Sequence, residues 1–485
     1  MTVSLVVGAV AVVAFFFTVP NGQPGSDGFG VTGGIVAENS PDPVRAQKEQ
    51  EGPPDSSLTA EGQPVDPPDS SQTAEEEPVD PPDSFQLAED ALRQAAEAHT
   101  KAFQAGDLDG YLKIFDHGNA GLLRKQTNTF NNLRKLPLGK AAFEVQDGKG
   151  LTKDSFGNWI TFSFEVTLEH QFEGIDLRPV DEWYRWTVVK ADENAPPTVT
   201  KVAGITGTYA GSYPAPWDSW ADMSAVTTEH TVVLTHSDQA DLGARVAPLA
   251  EEAAVADLDF WARNGDPGTP VPARFMIVLA KRRDEQGHLF RHETPKFYEA
   301  GVSISMPSSS AADGYFGGSR IVVDSTPWHF GDADEGVDAV REIFRHEIAH
   351  SLLAPLASEA FAESGEKWVI EGFAEYIEHH GQSLGDNGRT PETRAYVRGE
   401  GDRPFEGRIP DNDSWELNGL VGENYQLSGL AIQMIAERYG ERKAVEFVLA
   451  HYRGAGSDQA LTEVLGIGRQ DFERQWAEYV RAAFA

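Results

Sequence analysis

Two histidines four residues apart constrain this chain more than any other feature of its sequence. Residues 336–355 read GVDAVREIFRHEIAHSLLAP, and their apolar side chains recur at helical spacing. On one face of that helix, His346 and His350 could bind the same cation. Glu347 lies one step round from His346, where it can reach a water molecule on that cation but not chelate it. The alternative is an exposed pair of histidines on an ordinary amphipathic helix.

A second helical segment adds acidic side chains. Residues 367–379 read KWVIEGFAEYIEH, with Glu371 and Glu375 four residues apart on one face. Glu371 could supply an anionic third ligand, and Glu375 could accept the N–H of a ligand histidine and fix its tautomer. Two imidazoles and a carboxylate suit Zn²⁺, so we expect one zinc ion per chain. The alternative is two solvated helix acids.

The composition limits which residues can bind a metal and which partners the chain can have. The chain has no cysteine, which excludes disulfides, thiolate zinc sites, iron–sulfur clusters and thiol nucleophiles. Any metal must therefore be held by His, Asp or Glu. The formal net charge is −36, and no basic stripe is visible. Nucleic acid is not an expected partner, since phosphate binding requires such a stripe.

The N-terminal segment is apolar and uncharged. Residues 3–19 read VSLVVGAVAVVAFFFTV, at the short end of what crosses a bilayer. We predict that residues 1–20 form a signal anchor or a cleaved signal peptide; a buried core segment is the third possibility. No A-x-A-like cleavage site follows, which favours the anchor. The expected location is the cell membrane, single-pass with the folded domains outside, or secretion if the segment is cleaved.

Residues 21–84 separate the apolar segment from the first folded pattern, and residues 38–84 within them are rich in Pro, Glu, Asp and Ser. The unit PPDSSLTAEGQPVD is followed at once by PPDSSQTAEEEPVD. A fourteen-residue repeat with almost no apolar side chain cannot build a packed solenoid. We predict a disordered, acidic, Pro-rich tether, which its like charges keep extended.

Residues 85–209 are predicted to form a smaller α+β accessory domain. Helical patterns in QLAEDALRQAAEAHTKAFQAGD and LDGYLKIFD precede the strand-like runs ITFSFEVTLEH, EWYRWTVVK and PTVTKVAGI. This order resembles the cone-shaped fold of the nuclear transport factor 2 superfamily. The resemblance implies a pocket that Trp159, Trp183, Tyr184 and Trp186 would line, with ordinary core packing as the alternative.

A linker at residues 210–225 precedes the predicted second domain, residues 225–485. Apolar runs predict strands at 230–236, 273–280 and 320–324, and a long amphipathic pattern predicts a helix at 240–263. The expected class is α+β, with a mixed sheet followed by the metal-binding helices.

The motif H-E-x-x-H followed by W-x-x-E-G-x-A-E resembles the gluzincin metallopeptidases, and most closely their peptidase MA-like group. The resemblance covers roughly residues 228–484. It implies that His346, His350 and Glu371 bind zinc and that Glu347 is the general base. Glu375 would be the carboxylate behind the ligands. It also implies an antiparallel edge strand, upstream of the helix pair, over which the substrate lies.

One further residue is carried over from that resemblance. Residues 423–440 read ENYQLSGLAIQMIAERYG, and gluzincins of this group place a tyrosine before such a helix, where its hydroxyl reaches the reacting carbonyl. This nominates Tyr425 as a catalytic residue. The aminopeptidase branch has glycine three residues after the tyrosine, whereas Gly429 comes four residues after Tyr425. A packed, structural Tyr425 is the alternative.

The resulting prediction is a zinc metallopeptidase that hydrolyses peptide bonds with a zinc-activated water and Glu347 as general base. Its partner would be a peptide or protein substrate. The aminopeptidase motif G-x-M-E-N is absent, which favours an endopeptidase. Two alternatives stay open: an inert zinc fold whose accessory domain recognises a ligand, and a metal-scavenging surface protein. The sequence does not indicate an oligomeric state.

Overall fold

The computed structural model describes residues 84–146, 160–190, 195–205, 213–291, 293–295, 299–309, 315–331, 336–357, 361, 365–400, 403–412, 415 and 419–485. The predicted apolar segment, almost all of the tether and Trp159 lie outside these residues. In the described part of the chain, no helix is long and apolar enough to span a membrane.

The first described part contains three helices and a four-stranded sheet. They are α1 (Ser84–Ala105), α2 (Leu108–Leu112), α3 (Ala120–Leu133), β1 (Leu138–Val145), β2 (Ile160–Phe172), β3 (Val180–Lys190) and β4 (Thr198–Gly204). The strands follow one another as an antiparallel meander, β1-β2-β3-β4. Alternate residues of β2 and β3 point into the core, as period-two patterning requires. Tyr184 and Trp186 lie in that core, so both are packing residues.

A five-stranded mixed sheet follows. Its elements are α4 (Pro216–Ser219), β5 (Met223–Thr227), β6 (Thr231–His236), α5 (Ala240–Asn264), β7 (Phe275–Ala280), α6 (Arg283–His288), β8 (Gly301–Pro307) and β9 (Phe316–Asp324). The strand order is β5-β6-β7-β9-β8. Strands β6, β7 and β9 run parallel, while β5 and β8 pair antiparallel to their neighbours. Strand β8 is therefore an antiparallel edge strand.

Helices make up the remainder of the described chain. They are α7 (Val337–Leu353), α8 (Lys367–Glu378), α9 (Thr390–Val397), α10 (Val421–Tyr439), α11 (Glu441–Tyr452), α12 (Ser457–Ala460) and α13 (Arg469–Ala483). The prediction of an α+β chain with a mixed sheet followed by helices is thus confirmed. Each of the four elements predicted at residues 230–324 is present.

The central strands of the mixed sheet are buried on both faces, as their continuous apolar runs require. Ile277 and Ile321 point to one face, where they join a core with the helices α5, α7, α8 and α10. Val278 and Val322 point to the other, where they join a core with the first sheet and with α1 and α3. The predicted domains 85–209 and 225–485 therefore share one apolar core within a single compact body.

A buried ion pair joins the two sheets inside this shared core. Arg320 on β9 donates to both carboxylate oxygens of Asp176, at 2.6 and 3.1 Å, and both side chains are wholly buried. Asp176 lies in the β2–β3 connection. That connection approaches β9 closely because a Cβ on Gly318 would lie only 2.2 Å from Asp176 Oδ1. The glycine is thus needed for the ion pair to form.

Asp176→Asn tests this junction. The variant leaves the buried Arg320 guanidinium without its counter-charge, so we expect the free energy of unfolding to fall by about 3–5 kcal/mol. Urea denaturation measures it. The control is Glu446→Gln, because the pair of Glu446 with Lys443 is nearly half exposed and should contribute at most about 1 kcal/mol. Equal effects of the two variants would show that the buried pair does not hold the sheets together.

Candidate metal centre

Helix α7 carries both histidines into the protein interior. Its apolar side chains pack beneath the mixed sheet and against α5. Helix α7 spans Val337–Leu353, within the predicted 336–355. His346 and His350 lie on one face with ring centroids 4.8 Å apart. They are 0 % and 5 % exposed, which rules out the alternative of two solvated histidines.

Helix α8 brings Glu371 to the same point. Its Oε2 lies 3.5 Å from His346 Nε2 and 3.6 Å from His350 Nε2. One ligand atom from each of the three residues lies within 4.8 Å of the others, so together they could hold a metal ion. Glu371 and Glu375 are also buried, so neither is a solvated helix acid.

Two donor atoms of this cluster have no hydrogen-bond partner. They are His350 Nε2 and Glu371 Oε2, and both are buried. Burying a polar atom in this way is costly unless another group satisfies it. A divalent cation between the imidazoles and the carboxylate would satisfy it, and this mixed N/O donor set suits borderline ions such as zinc. The residues therefore fit a metal.

The carboxylate next to His346 Nδ1 is Glu378, not the predicted Glu375. His346 Nδ1 lies 3.0 Å from Glu378 Oε2, which leaves Nε2 directed toward Glu371. Glu378 thus fixes the ring orientation, the task that metal-binding histidines usually give to a neighbouring carboxylate. The spacing reveals it in retrospect: Glu371, Glu375 and Glu378 occupy positions i, i+4 and i+7 of one helix face.

Glu375 pairs with a cation instead. Arg389 donates to its two oxygens at 3.2 and 3.1 Å, and Asn387 donates to Oε1 at 2.8 Å. The same guanidinium lies over the ring of Tyr425, 5.3 Å from its centroid. Arg389 was not predicted, since it lies 14 residues after Glu375, just before α9, and belongs to no motif. Its position links Glu375 to Tyr425.

Tyr425 lies beside the cluster. Its ring centroid is 5.9 Å from that of His346 and 5.6 Å from that of Trp415, and the side chain is 2 % exposed. Helix α10 can approach α8 this closely because a Cβ on Gly429 would lie 2.6 Å from Glu375 Cγ. The predicted neighbourhood of Tyr425 is therefore present, and both its catalytic and its packing role are compatible with this position.

Burial dominates the electrostatics of the centre. It raises the pKa of Glu347 well above its usual value, and the nearby charges of Glu371 and Glu299 raise it further. Burial also raises the pKa of Glu371 and lowers that of His346. A neutral imidazole is the form that binds metal, whereas the carboxylates must lose their protons. Metal binding should consequently release protons.

Comparison of the chain with protein-family models, with curated proteins and with solved structures finds no match. The function must therefore be inferred from the residues of this chain and their geometry.

Glu378→Gln and Glu375→Gln separate the two carboxylates. The first removes the anionic acceptor behind His346, so affinity for Zn²⁺ should fall by about 10–100-fold. The second leaves Arg389 without its counter-charge, so the melting temperature should fall while metal affinity changes little. Competition with a chromophoric chelator measures affinity, and calorimetry measures melting. Equal zinc affinity in the parent and Glu378→Gln would contradict the assignment.

Proposed function

We propose that this chain is a zinc-dependent metallopeptidase of the gluzincin type. The observation that carries the proposal is the convergence of His346, His350 and Glu371 beside a buried Glu347. Three protein ligands leave a coordination position for water or substrate, as in catalytic rather than structural zinc sites. When bound, zinc would polarise the scissile carbonyl and lower the pKa of a water molecule.

Glu347 has the surroundings of a general base. Its carboxylate is wholly buried, and its raised pKa gives it affinity for a proton. It would take a proton from water as the oxygen adds to the peptide carbon, then deliver it to the leaving nitrogen as the C–N bond breaks. Tyr425, at the edge of the cluster, would donate its O–H to the developing oxyanion.

Strand β8 offers a place for the peptide. It is the antiparallel edge of the mixed sheet and runs beside α7, where Ser303 Oγ and Ser351 Oγ are 2.9 Å apart. At Gly301 a Cβ would lie 2.9 Å from Glu347 Oε1, so this strand passes directly over the proposed base. An extended peptide pairing with this strand would bring its carbonyls toward the cluster. This arrangement supports the resemblance to gluzincins.

Glu347→Gln tests the proposed chemistry. The amide nearly preserves the side-chain shape and Glu347 is no ligand, so zinc content should stay at one per chain. Peptide hydrolysis should fall by about 10²–10⁴-fold, because an amide cannot take the proton of water. Elemental analysis and the rate on one cleaved peptide measure both. The control is Asp338→Asn, an exposed acid on the same helix, which should leave both unchanged.

Other results would overturn the proposal. Parent protein that holds zinc but cleaves nothing in a broad peptide library would favour the inert binding fold. Binding of several metals with little dependence on Glu347 would favour the metal scavenger. Loss of zinc in Glu347→Gln would mean that Glu347 is itself a ligand.

We further propose that residues 1–20 anchor the protein in the cell membrane and that the folded body lies outside. The uncharged run at residues 3–19, followed by the acidic repeats, supports this topology. Protease added to intact cells should release a fragment that begins within residues 38–84. Release only after lysis would contradict the topology.

A further inference from the structure

Arg291 is a buried arginine with unused hydrogen-bond donors. Its side chain is 5 % exposed, and Nη2 donates to Glu299 Oε2 at 3.0 Å. Nη1 lies 3.7 Å from Glu293 Oε2, beyond hydrogen-bond distance. Nε and Nη1 are buried without an acceptor. A guanidinium in this state requires an explanation, since each buried donor without a partner costs free energy.

The backbone before Arg291 has an unusual conformation. Phe290 has a φ of 60°, which a non-glycine residue rarely adopts. Its amide donates to Pro214 O at 3.0 Å, and its ring packs 5.7 Å from that of Trp217. Phe290 thus belongs to the core shared by the two sheets. The next side chain, Arg291, pairs with Glu299, which precedes β8.

This pair lies beside the proposed base. Glu299 comes two residues before Gly301, where a Cβ would lie 2.9 Å from Glu347 Oε1. The Arg291–Glu299 pair therefore lies at the start of the strand that passes over Glu347.

The arrangement favours an anionic ligand. One carboxylate oxygen accepts from one of the five N–H groups of Arg291. A second carboxylate could accept from Nη2 together with either Nε or Nη1, since these are the two pairs of donors that share an edge of the guanidinium. The net charge of the chain would slow the approach of an acidic peptide, but salt screens charges beyond about 8 Å. The buried contact itself would be screened much less.

We propose that Arg291 is a specificity-determining residue that binds a carboxylate of the peptide substrate near the scissile bond. The proposal rests on the function proposed above. The carboxylate comes either from an Asp or Glu side chain or from a free C-terminus, and Arg291 recognises the chemistry that the two share.

Peptide binding to full-length, zinc-loaded Glu347→Gln protein tests this without turnover. The probes are fluorescein-labelled alanine peptides that carry Glu or Gln at each position in turn. Each is made with an amidated and with a free C-terminus. Probes that carry the carboxylate at the right position should bind about 10–100-fold more tightly than matched Gln amides. The position-specific Glu probes and the free-acid probes distinguish the two sources.

Arg291→Gln, added to the same background, should remove the preference for carboxylate probes over matched Gln amides. Arg291→Lys should retain part of it, since a point charge replaces the fork of donors. The control is Arg282→Gln, an exposed arginine nearby that pairs with Asp284. In protein with native Glu347, the same preference should appear in kcat/KM for the Glu and Gln peptides.

Several outcomes overturn the proposal: no preference for carboxylates in the parent, a preference that survives Arg291→Gln, or an equal loss for all probes. If Arg291→Gln does not fold, the parent's preference and its weakening in Arg291→Lys decide the question. Carboxylate binding through Arg291 without hydrolysis of any peptide would support this proposal and contradict the proposed peptidase function. Hydrolysis without carboxylate preference would do the reverse.

Discussion

The candidate metal centre depends on one physical constraint, the burial of acidic side chains away from water. Glu347, Glu371, Glu375 and Glu378 are all buried on two adjacent helices. A buried carboxylate costs several kcal/mol unless it is paired, hydrogen-bonded or protonated. Arg389 pairs with Glu375, and His346 Nδ1 pairs with Glu378. Glu371 Oε2 has no hydrogen-bond partner, and it lies 3.5 and 3.6 Å from the Nε2 atoms of His346 and His350, with which it could bind a cation.

Two unpartnered atoms distinguish the candidate centre from a purely structural ion-pair network. In a structural network, polar atoms that cannot reach water are satisfied by one another. Here His350 Nε2 on α7 and Glu371 Oε2 on α8 have no hydrogen-bond partner, which favours a cation between them. The two helices cannot move apart freely, because α7 packs under the mixed sheet and α8 contacts α10 at Gly429. The scaffold therefore fixes the positions of these side chains.

Much of this arrangement follows from local patterns in the sequence. The histidine helix, Glu371 and the central strands were predictable because each depends on periodicity within about twenty residues. Strand β8 was missed although Val302, Ile304 and Met306 alternate with small polar residues, since the run is short and lies between irregular segments. Glu378 was missed because Glu375 fits the helix face equally well, and only three-dimensional geometry shows which carboxylate reaches His346 Nδ1.

Contacts between distant residues could not be predicted in this way. Arg389 and Arg291 reach the centre from irregular connections, and no spacing rule relates them to the helices they approach. The sequence gives only a weak indication of the shared core. The run FMIVLA at β7 is apolar on both faces, so other elements must cover each face of the sheet. Nothing in that run identifies residues 84–205 as one of the covers. The predictions for the N-terminal segment concern residues that the structure does not describe.

The two-sided burial of the mixed sheet has a consequence for how the protein is made. A ribosome delivers the chain from its N-terminus, so the first sheet with its helices emerges before β5–β9, and α7 to α13 emerge last. At about 5–20 residues per second, synthesis of α7 to α13 takes on the order of ten seconds, and one face of the mixed sheet stays uncovered during that time. During that interval the earlier module can shield one apolar face and halve the surface open to aggregation. The module thus has a task during synthesis that is independent of any ligand it recognises in the finished protein.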